Sequence, residues 1–87
     1  MANHLGFVPV FTADAVEFFS RQTKRRQRKL LDRAHELAAD PFVVPDFRSK
    51  DAAGREVSQV ISGDFIFDFY VDDAVKQVVI TAIDYVD

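Results

Sequence analysis

Residues 63–73 read GDFIFDFYVDD, an aromatic run with glycine before it and two acids after it. This composition predicts a β-strand, Phe65–Val71, between two turns. Side chains alternate across a strand, so three phenylalanines share one face, and Ile66, Asp68 and Tyr70 share the other. We therefore expect the phenylalanine face to pack under helices and Asp68 to lie on the open side of a sheet.

Strands on both sides of this run complete a meander. Glu56–Ile61 precedes it across a Ser-Gly-Asp turn, and Gln77–Val86 follows it. Apolar residues occupy both alternating sets of Gln77–Val86, which predicts a central strand covered on both faces. An extended connection over Phe42–Lys50 leads into the meander through a turn at residues 51–54.

The N-terminal part predicts a strand and a short helix. Leu5–Phe11 is apolar and β-rich, and Pro9 restricts it to an edge because proline donates no ladder hydrogen bond. Thr12 is a candidate N-cap for a helix from Ala13 to about Gln22. The expected buried residues of this helix are Ala15, Val16, Phe18 and Phe19.

A longer helix follows, with Thr23 as its N-cap and its end near Ala39. Asp40–Pro41 terminates it, since the residue before proline avoids the α region. Its apolar stripe, which we expect to face the core, consists of Leu30, Leu31, Ala34, Leu37 and Ala38.

The resulting order, β-α-α-β-β-β(-β), predicts an α+β fold with an αα-hairpin on one face of a small, mostly antiparallel sheet. The 87 residues, 48% of them hydrophobic, fit a single domain over 1–87. The absence of cysteine excludes disulfides, a thiolate nucleophile and cysteine-based zinc sites. No apolar stretch approaches the roughly 18 residues of a membrane span, and no secretory signal is recognisable, so we expect a cytoplasmic protein.

Charge is segregated along the chain. Residues 21–33 carry seven basic side chains and one acid, a net charge of 7 − 1 = +6. Residues 56–87 carry one lysine and seven acids, a net charge of 1 − 7 = −6. The two halves are therefore expected to present fields of opposite sign.

Five local motifs occur in an order that resembles the RelE/ParE toxin superfamily of bacterial toxin–antitoxin modules. They are Leu37-Ala38-Ala39-Asp40-Pro41 at a helix end, Gly54–Arg55 before a strand, the turn Gly63-Asp64-Phe65, the strand end Tyr70-Val71-Asp72-Asp73 and the terminal strand Val78–Ile83. The resemblance covers nearly the whole chain. It implies a small toxin neutralised by an antitoxin protein that wraps an extended or helical segment around it. In one branch of the superfamily the toxin cleaves mRNA on the ribosome, and in another it poisons gyrase.

Two departures from the family pattern bear on RNA cleavage. Ile66 follows the glycine-aromatic turn where ribosome-dependent members carry arginine, and the terminal strand ends in acids where they carry bases. Cleavage at a 2′-hydroxyl needs cations or donors around the phosphate, with an acid and a base. The candidates for a catalytic site are Arg48, Lys50 and Arg55, with Tyr70 as the acid.

Three functions remain open: an antitoxin-bound toxin-like protein that acts by binding, an active ribosome-dependent mRNA endonuclease, and a homodimeric interaction protein without an antitoxin. Asp68 is either a solvated residue or part of an acidic surface with Tyr70 and Asp84. The candidate partner or nucleic-acid surface consists of Lys24, Arg25, Arg28 and Lys29 on the second helix and Ile66, Asp68, Asp84 and Tyr85 on the sheet. His4 and His35 have no metal-ligand spacing, so we expect neither a metal nor another cofactor.

Overall fold

Two helices lie on one face of a five-stranded sheet in the computed structural model, which describes residues 6–42 and 45–86. The elements are β1 (Val8–Phe11), α1 (Ala13–Ser20), α2 (Lys24–Ala39), β2 (Phe47–Lys50), β3 (Glu56–Ser62), β4 (Phe65–Asp72) and β5 (Gln77–Tyr85). The strand order is β1-β5-β4-β3-β2, with β1 parallel to β5 and the other neighbours antiparallel. The predicted α+β fold is confirmed. Neither helix in this part of the chain is long and apolar enough to cross a membrane.

The phenylalanines of β4 form the centre of the core, as their alternation predicts. Phe65, Phe67 and Phe69 are each at most 3% exposed, whereas Ile66 and Asp68 are only half-buried. The helices cover the phenylalanine face with Ala15 of α1 and with Leu30, Ala34, Leu37 and Ala38 of α2. From β5 the core takes Val78, Ile80 and Ile83.

Two residues assigned to the helical stripes lie outside the core. Val16 is 49% exposed and Leu31 is 42% exposed, so both predictions were wrong. Each follows a fully buried residue, Ala15 or Leu30, and one residue step turns a helix by about 100°. The short α1 contacts the sheet mainly through Ala15, Phe18 and Phe19, an i, i+3, i+4 set.

The two threonines at the helix starts behave differently. Thr23 caps α2 as predicted, because its hydroxyl accepts a hydrogen bond from the Arg26 backbone N–H at 3.2 Å. Thr12 occupies the N-cap position of α1, as predicted, but its side-chain oxygen does not make the capping hydrogen bond expected of it. Its hydroxyl donates instead to the carbonyl of Thr81 at 3.0 Å, which fastens the end of β1 to β5.

Helix α1 ends at Ser20, two residues before the expected end. The Arg21 and Gln22 backbone N–H groups donate to the carbonyls three residues earlier, a 3₁₀-type closure of the last turn. Strand β1, which precedes α1, begins at Val8, and Leu5 lies outside the described residues. Pro9 is on an edge strand, as predicted.

A β-bulge in β5 decides which side chains of its C-terminal half face the helices. Asp68 pairs with Ala82 and Phe69 pairs with Ile80, so Thr81 is an extra residue on β5. Ile80 and Ile83 consequently both reach the core although they are three residues apart. Beyond the bulge, Tyr85 shares the helix side with Phe65.

Candidate functional site

The sheet forks at one end, between β3 and β4. The register of these strands runs from Ser62 opposite Phe65 to Ser58 opposite Phe69 and stops there. Strand β3 nevertheless begins two residues earlier, at Glu56, and β4 continues to Asp72. Past Ser58 and Phe69, β3 stays with β2 and β4 stays with β5, so the two strand pairs separate.

Arg55 is held at the mouth of this fork by an aspartate in the preceding turn. Asp51 Oδ1 accepts hydrogen bonds from the backbone N–H groups of Ala53 at 2.9 Å and Arg55 at 2.8 Å. Its second oxygen lies 4.0 Å from the Arg55 Nε. The Asp51 carboxylate therefore fixes the backbone that leads into β3 and lies near the Arg55 side chain. Gly54 supplies the positive φ of +81° that the turn requires.

The side chain of Arg55 stacks on Tyr70. Its guanidinium carbon lies 4.1 Å from the centre of the tyrosine ring, within the range of a cation–π interaction. Two of the four predicted catalytic residues therefore touch each other across the fork. Asp51, which positions this pair, was not among the candidates, although an aspartate three residues before a glycine is a common turn signal.

A groove of about 630 Å³ occupies the fork. It is lined by Pro41, Phe42, Pro45, Arg48, Arg55, Glu56, Ser58, Tyr70, Val71, Asp72 and Asp73. Arg48, Arg55 and Tyr70 thus come together as the catalytic hypothesis requires, whereas Lys50 is not among the described lining residues. Two arginines face three carboxylates, so the ionisable side chains in the lining carry 2 − 3 = −1.

The face of the sheet opposite the helices, here named the open face, is ordered in rows by the strand registers. Cross-strand partners share a face, so one row is Ile61, Ile66 and Asp84, and the next is Phe47, Gln59, Asp68 and Ala82. Phe47 is 61% exposed and Ile61 is 45% exposed. These two rows therefore combine apolar side chains with two carboxylates.

Asp68 has a defined partner on this face. Its Oδ1 accepts a hydrogen bond from Gln59 Nε2 at 2.7 Å, directly across from it in the register. Arg55 lies over the ring of Tyr70, and its ion pair is with Asp51. Asp68 is half-buried, and Asp84 is exposed in the neighbouring row.

Tyr85 lies on the other side of the sheet from Asp68 and Asp84. Its ring packs against Phe18 at 5.2 Å and Phe65 at 5.8 Å between ring centres. Its hydroxyl accepts a hydrogen bond from Arg26 at 2.7 Å and donates one to the side-chain oxygen of Gln22. The candidate surface that grouped Tyr85 with Ile66, Asp68 and Asp84 is therefore divided between two faces.

The other four residues of the candidate surface are basic and exposed on α2: Lys24, Arg25, Arg28 and Lys29. Within the described residues, ion pairs join Arg21 to Glu17, Arg33 to Glu36, Arg55 to Asp51 and Lys76 to Asp73, and they include none of these four. The basic surface of α2 and the open face are on opposite sides of the molecule, because α2 covers the phenylalanine side of the sheet.

The histidine and acidic side chains form no candidate metal centre within residues 6–42 and 45–86, where no group of three or more is placed to hold an ion. His35 is exposed on α2, and its Nδ1 lies 2.8 Å from the carbonyl of Leu31. His4 lies outside the described residues.

Neither a family model nor a curated protein matches the chain, but solved structures do. The toxin–antitoxin complex RelBE2 of Mycobacterium tuberculosis matches with a TM-score of 0.74 at 18% identity, over 93% of this chain and 99% of that chain. The archaeal RelE–RelB complex of Pyrococcus horikoshii gives 0.67 at 13% identity, over 91% and 93% of the two chains. The E. coli RelBE complex gives 0.60 at 12% identity, over 93% and 98%. At these identities the likeness shows the fold alone, and the RelE-like fold is confirmed.

Proposed function

We propose that the chain is the toxin-like component of a bacterial type II toxin–antitoxin module. In this proposal one cytoplasmic RelE-like domain is bound and neutralised by an antitoxin, and it acts by binding rather than by cleaving RNA. The observation that carries the proposal is the open face, which neither helix covers and on which Phe47 and Ile61 are exposed. Three of the solved structures with this fold are toxin–antitoxin complexes, and their overlap with nearly the whole chain supports a partner of the same kind.

The electrostatics of the groove argue against cleavage. A phosphate backbone is held by cations, and the charge that develops at the scissile phosphate needs positive or hydrogen-bonding groups around it. Glu56, Asp72 and Asp73 outnumber Arg48 and Arg55 in the groove lining. Ile66, moreover, places an apolar side chain on the open face between Ile61 and Asp84.

A specific observation nevertheless favours the endonuclease as the second candidate function. Arg48, Arg55 and Tyr70 converge on one groove, and Asp51 accepts a hydrogen bond from the backbone N–H of Arg55. In that mechanism the arginines bind the phosphate and the Tyr70 hydroxyl gives a proton to the leaving oxygen. Removing one such group slows a reaction by about 10²–10³-fold.

Induced expression in a bacterial host separates the two functions. We expect intact mRNA on expression of the wild-type chain and no difference in RNA between wild type and the Arg55→Ala/Tyr70→Phe variant. Arg21→Ala, an exposed cation on the helix side, is the matched control. RNA fragments that appear with wild type and Arg21→Ala but vanish with the double variant would establish the endonuclease instead.

Co-expression tests the partner. The product of the reading frame beside the gene for this chain is produced with it, and the purified material is analysed by native mass spectrometry. We expect a stoichiometric complex of the two proteins. A chain that purifies alone, with or without that product, would refute the module.

A further inference from the structure

The open face carries a chemical pattern that defines what kind of segment fits it. Its exposed apolar side chains, Phe47 and Ile61, lie in adjacent rows, and the half-buried Ile66 is the cross-strand partner of Ile61. Removing such side chains from water stabilises a complex in proportion to the apolar area covered. An occupant of this face therefore needs apolar side chains over Ile61, Ile66 and Phe47.

The carboxylates beside these residues determine the sign of the occupant's charge. Asp68 pairs with Ala82, and Asp84 lies two residues further along β5, so the two carboxylates are diagonal neighbours. The backbones of diagonal neighbours are about 7–8 Å apart, so the two aspartates belong to one small patch of the face. No ion pair within residues 6–42 and 45–86 includes Asp68 or Asp84.

The hydrogen bond from Gln59 prepares Asp68 for such a contact. Because Gln59 Nε2 binds Oδ1, one oxygen of the carboxylate is already oriented within the sheet. A side chain held in one conformation loses less entropy when a partner binds. An incoming lysine or arginine thus meets a carboxylate of fixed direction beside an apolar row.

We propose that the open face binds a basic amphipathic segment, in which lysine or arginine flanks a stripe of apolar residues. As a statement about the antitoxin it rests on the proposed function, and it specifies the chemistry of the antitoxin segment that covers this face. RNA is disfavoured as the occupant, because both charged groups in the two rows would repel its phosphates. A segment rich in acids is disfavoured for the same reason.

Two synthetic peptides of about 14 residues, the length at which isolated helices become marginally stable, provide the probe. Both have leucine at the same helical spacing, and they differ in carrying lysine or glutamate at the polar positions. Binding to the full chain is followed by NMR amide shifts, which report both the affinity and the face that is occupied. We expect the leucine–lysine peptide to shift the amides of the two rows and the leucine–glutamate peptide to leave them unchanged.

The variants separate charge from apolar contact. Neutralising both carboxylates, in Asp68→Asn/Asp84→Asn, should weaken the lysine peptide about three- to tenfold, as expected for two exposed ion pairs. Asp14→Asn/Asp32→Asn makes the same change in charge on exposed helix residues and should leave the affinity unchanged. Ile61→Ser should weaken binding while leaving the salt dependence of the affinity intact, because it removes apolar area only. Thermal melting of each variant confirms that it folds.

Three results would overturn the proposal: binding of the glutamate peptide on this face, binding of neither peptide, or equal affinity for wild type and the neutralised variant. A fourth contradictory result would be self-association of the wild-type chain, measured by light scattering, that is lost in Asp68→Asn/Asp84→Asn. It would assign the face to a second copy, whose basic α2 has the complementary charge. Because the peptides probe the face without an antitoxin, the proposed function is decided separately by the co-expression experiment.

Discussion

Alanine substitution of two adjacent residues near the end of β5, Asp84 and Tyr85, should change the stability of the protein by very different amounts. Tyr85 packs on Phe18 and Phe65 and is hydrogen-bonded to Arg26 and Gln22, whereas Asp84 is exposed on the open face. We therefore expect Tyr85→Ala to destabilise the protein strongly and Asp84→Ala to have little effect. This contrast follows from the bulge at Thr81, which sets the phase of the strand beyond it.

The structure sets the size of the difference. Removing a fully buried aromatic ring costs about 3–5 kcal/mol, and the half-buried position of Tyr85 reduces this to roughly 2–3 kcal/mol. In a domain of this size each kcal/mol lowers the melting temperature by about 4–8 °C, so Tyr85→Ala should melt about 10–20 °C below wild type. Asp84→Ala, a surface change, should stay within about 0.5 kcal/mol of wild type.

Urea and thermal unfolding followed by circular dichroism measure both variants. Tyr85→Phe serves as an internal control, because it keeps the ring and removes only the hydroxyl, at a cost of about 0.5–1.5 kcal/mol. If Asp84→Ala proved as destabilising as Tyr85→Ala, or more so, the side chains of β5 would alternate without a bulge and Asp84 would lie on the helix side. The assignment of Asp84 to the open face would then be wrong.

Three further substitutions test other parts of the fold. Phe67→Ala empties a position that is 0% exposed and should cost about 3–5 kcal/mol in urea unfolding, with Phe67→Leu clearly milder; equal losses would contradict a packed site. Gly63→Ala forces a φ of +63° on a side chain and should cost about 1–2 kcal/mol in melting experiments, with Gly63→Asn costing less; a neutral Gly63→Ala would show that the turn changes conformation. Thr23→Ala removes the α2 cap and should cost about 1 kcal/mol in urea, whereas Thr23→Ser should retain most of the stability; equal effects would refute the cap.

Local patterns in the sequence predict most of the fold. The alternation in β4 places its phenylalanines correctly because strand periodicity leaves no other way to bury them together. Helix α2 was predicted with its observed bounds because Thr23 and Asp40–Pro41 mark its two ends. The failures come from tertiary contacts. Thr12 is a residue type that commonly caps helices, but its hydroxyl donates a hydrogen bond to the carbonyl of Thr81 on β5 instead.

The candidate site is less predictable, since it depends on irregularities without a sequence signal. Thr81 is an ordinary strand residue, and only the registers on both sides reveal it as the extra one. Without the bulge, alternation from Ile80 would assign Asp84 to the helix side and Tyr85 to the open face. The fork likewise depends on where the β3–β4 register ends, which the sequence does not indicate. The sequence could therefore nominate Arg48, Lys50, Arg55 and Tyr70 as candidates. It could not separate Lys50 from the three that are among the described residues lining the groove.

We propose above all that this RelE-like chain is bound by a protein partner, its antitoxin. Native mass spectrometry of the chain co-expressed with the product of the adjacent reading frame tests it most directly. We predict one hetero-oligomer of fixed stoichiometry, with no free chain when the partner is in excess. A chain that stays alone under those conditions would contradict the claim.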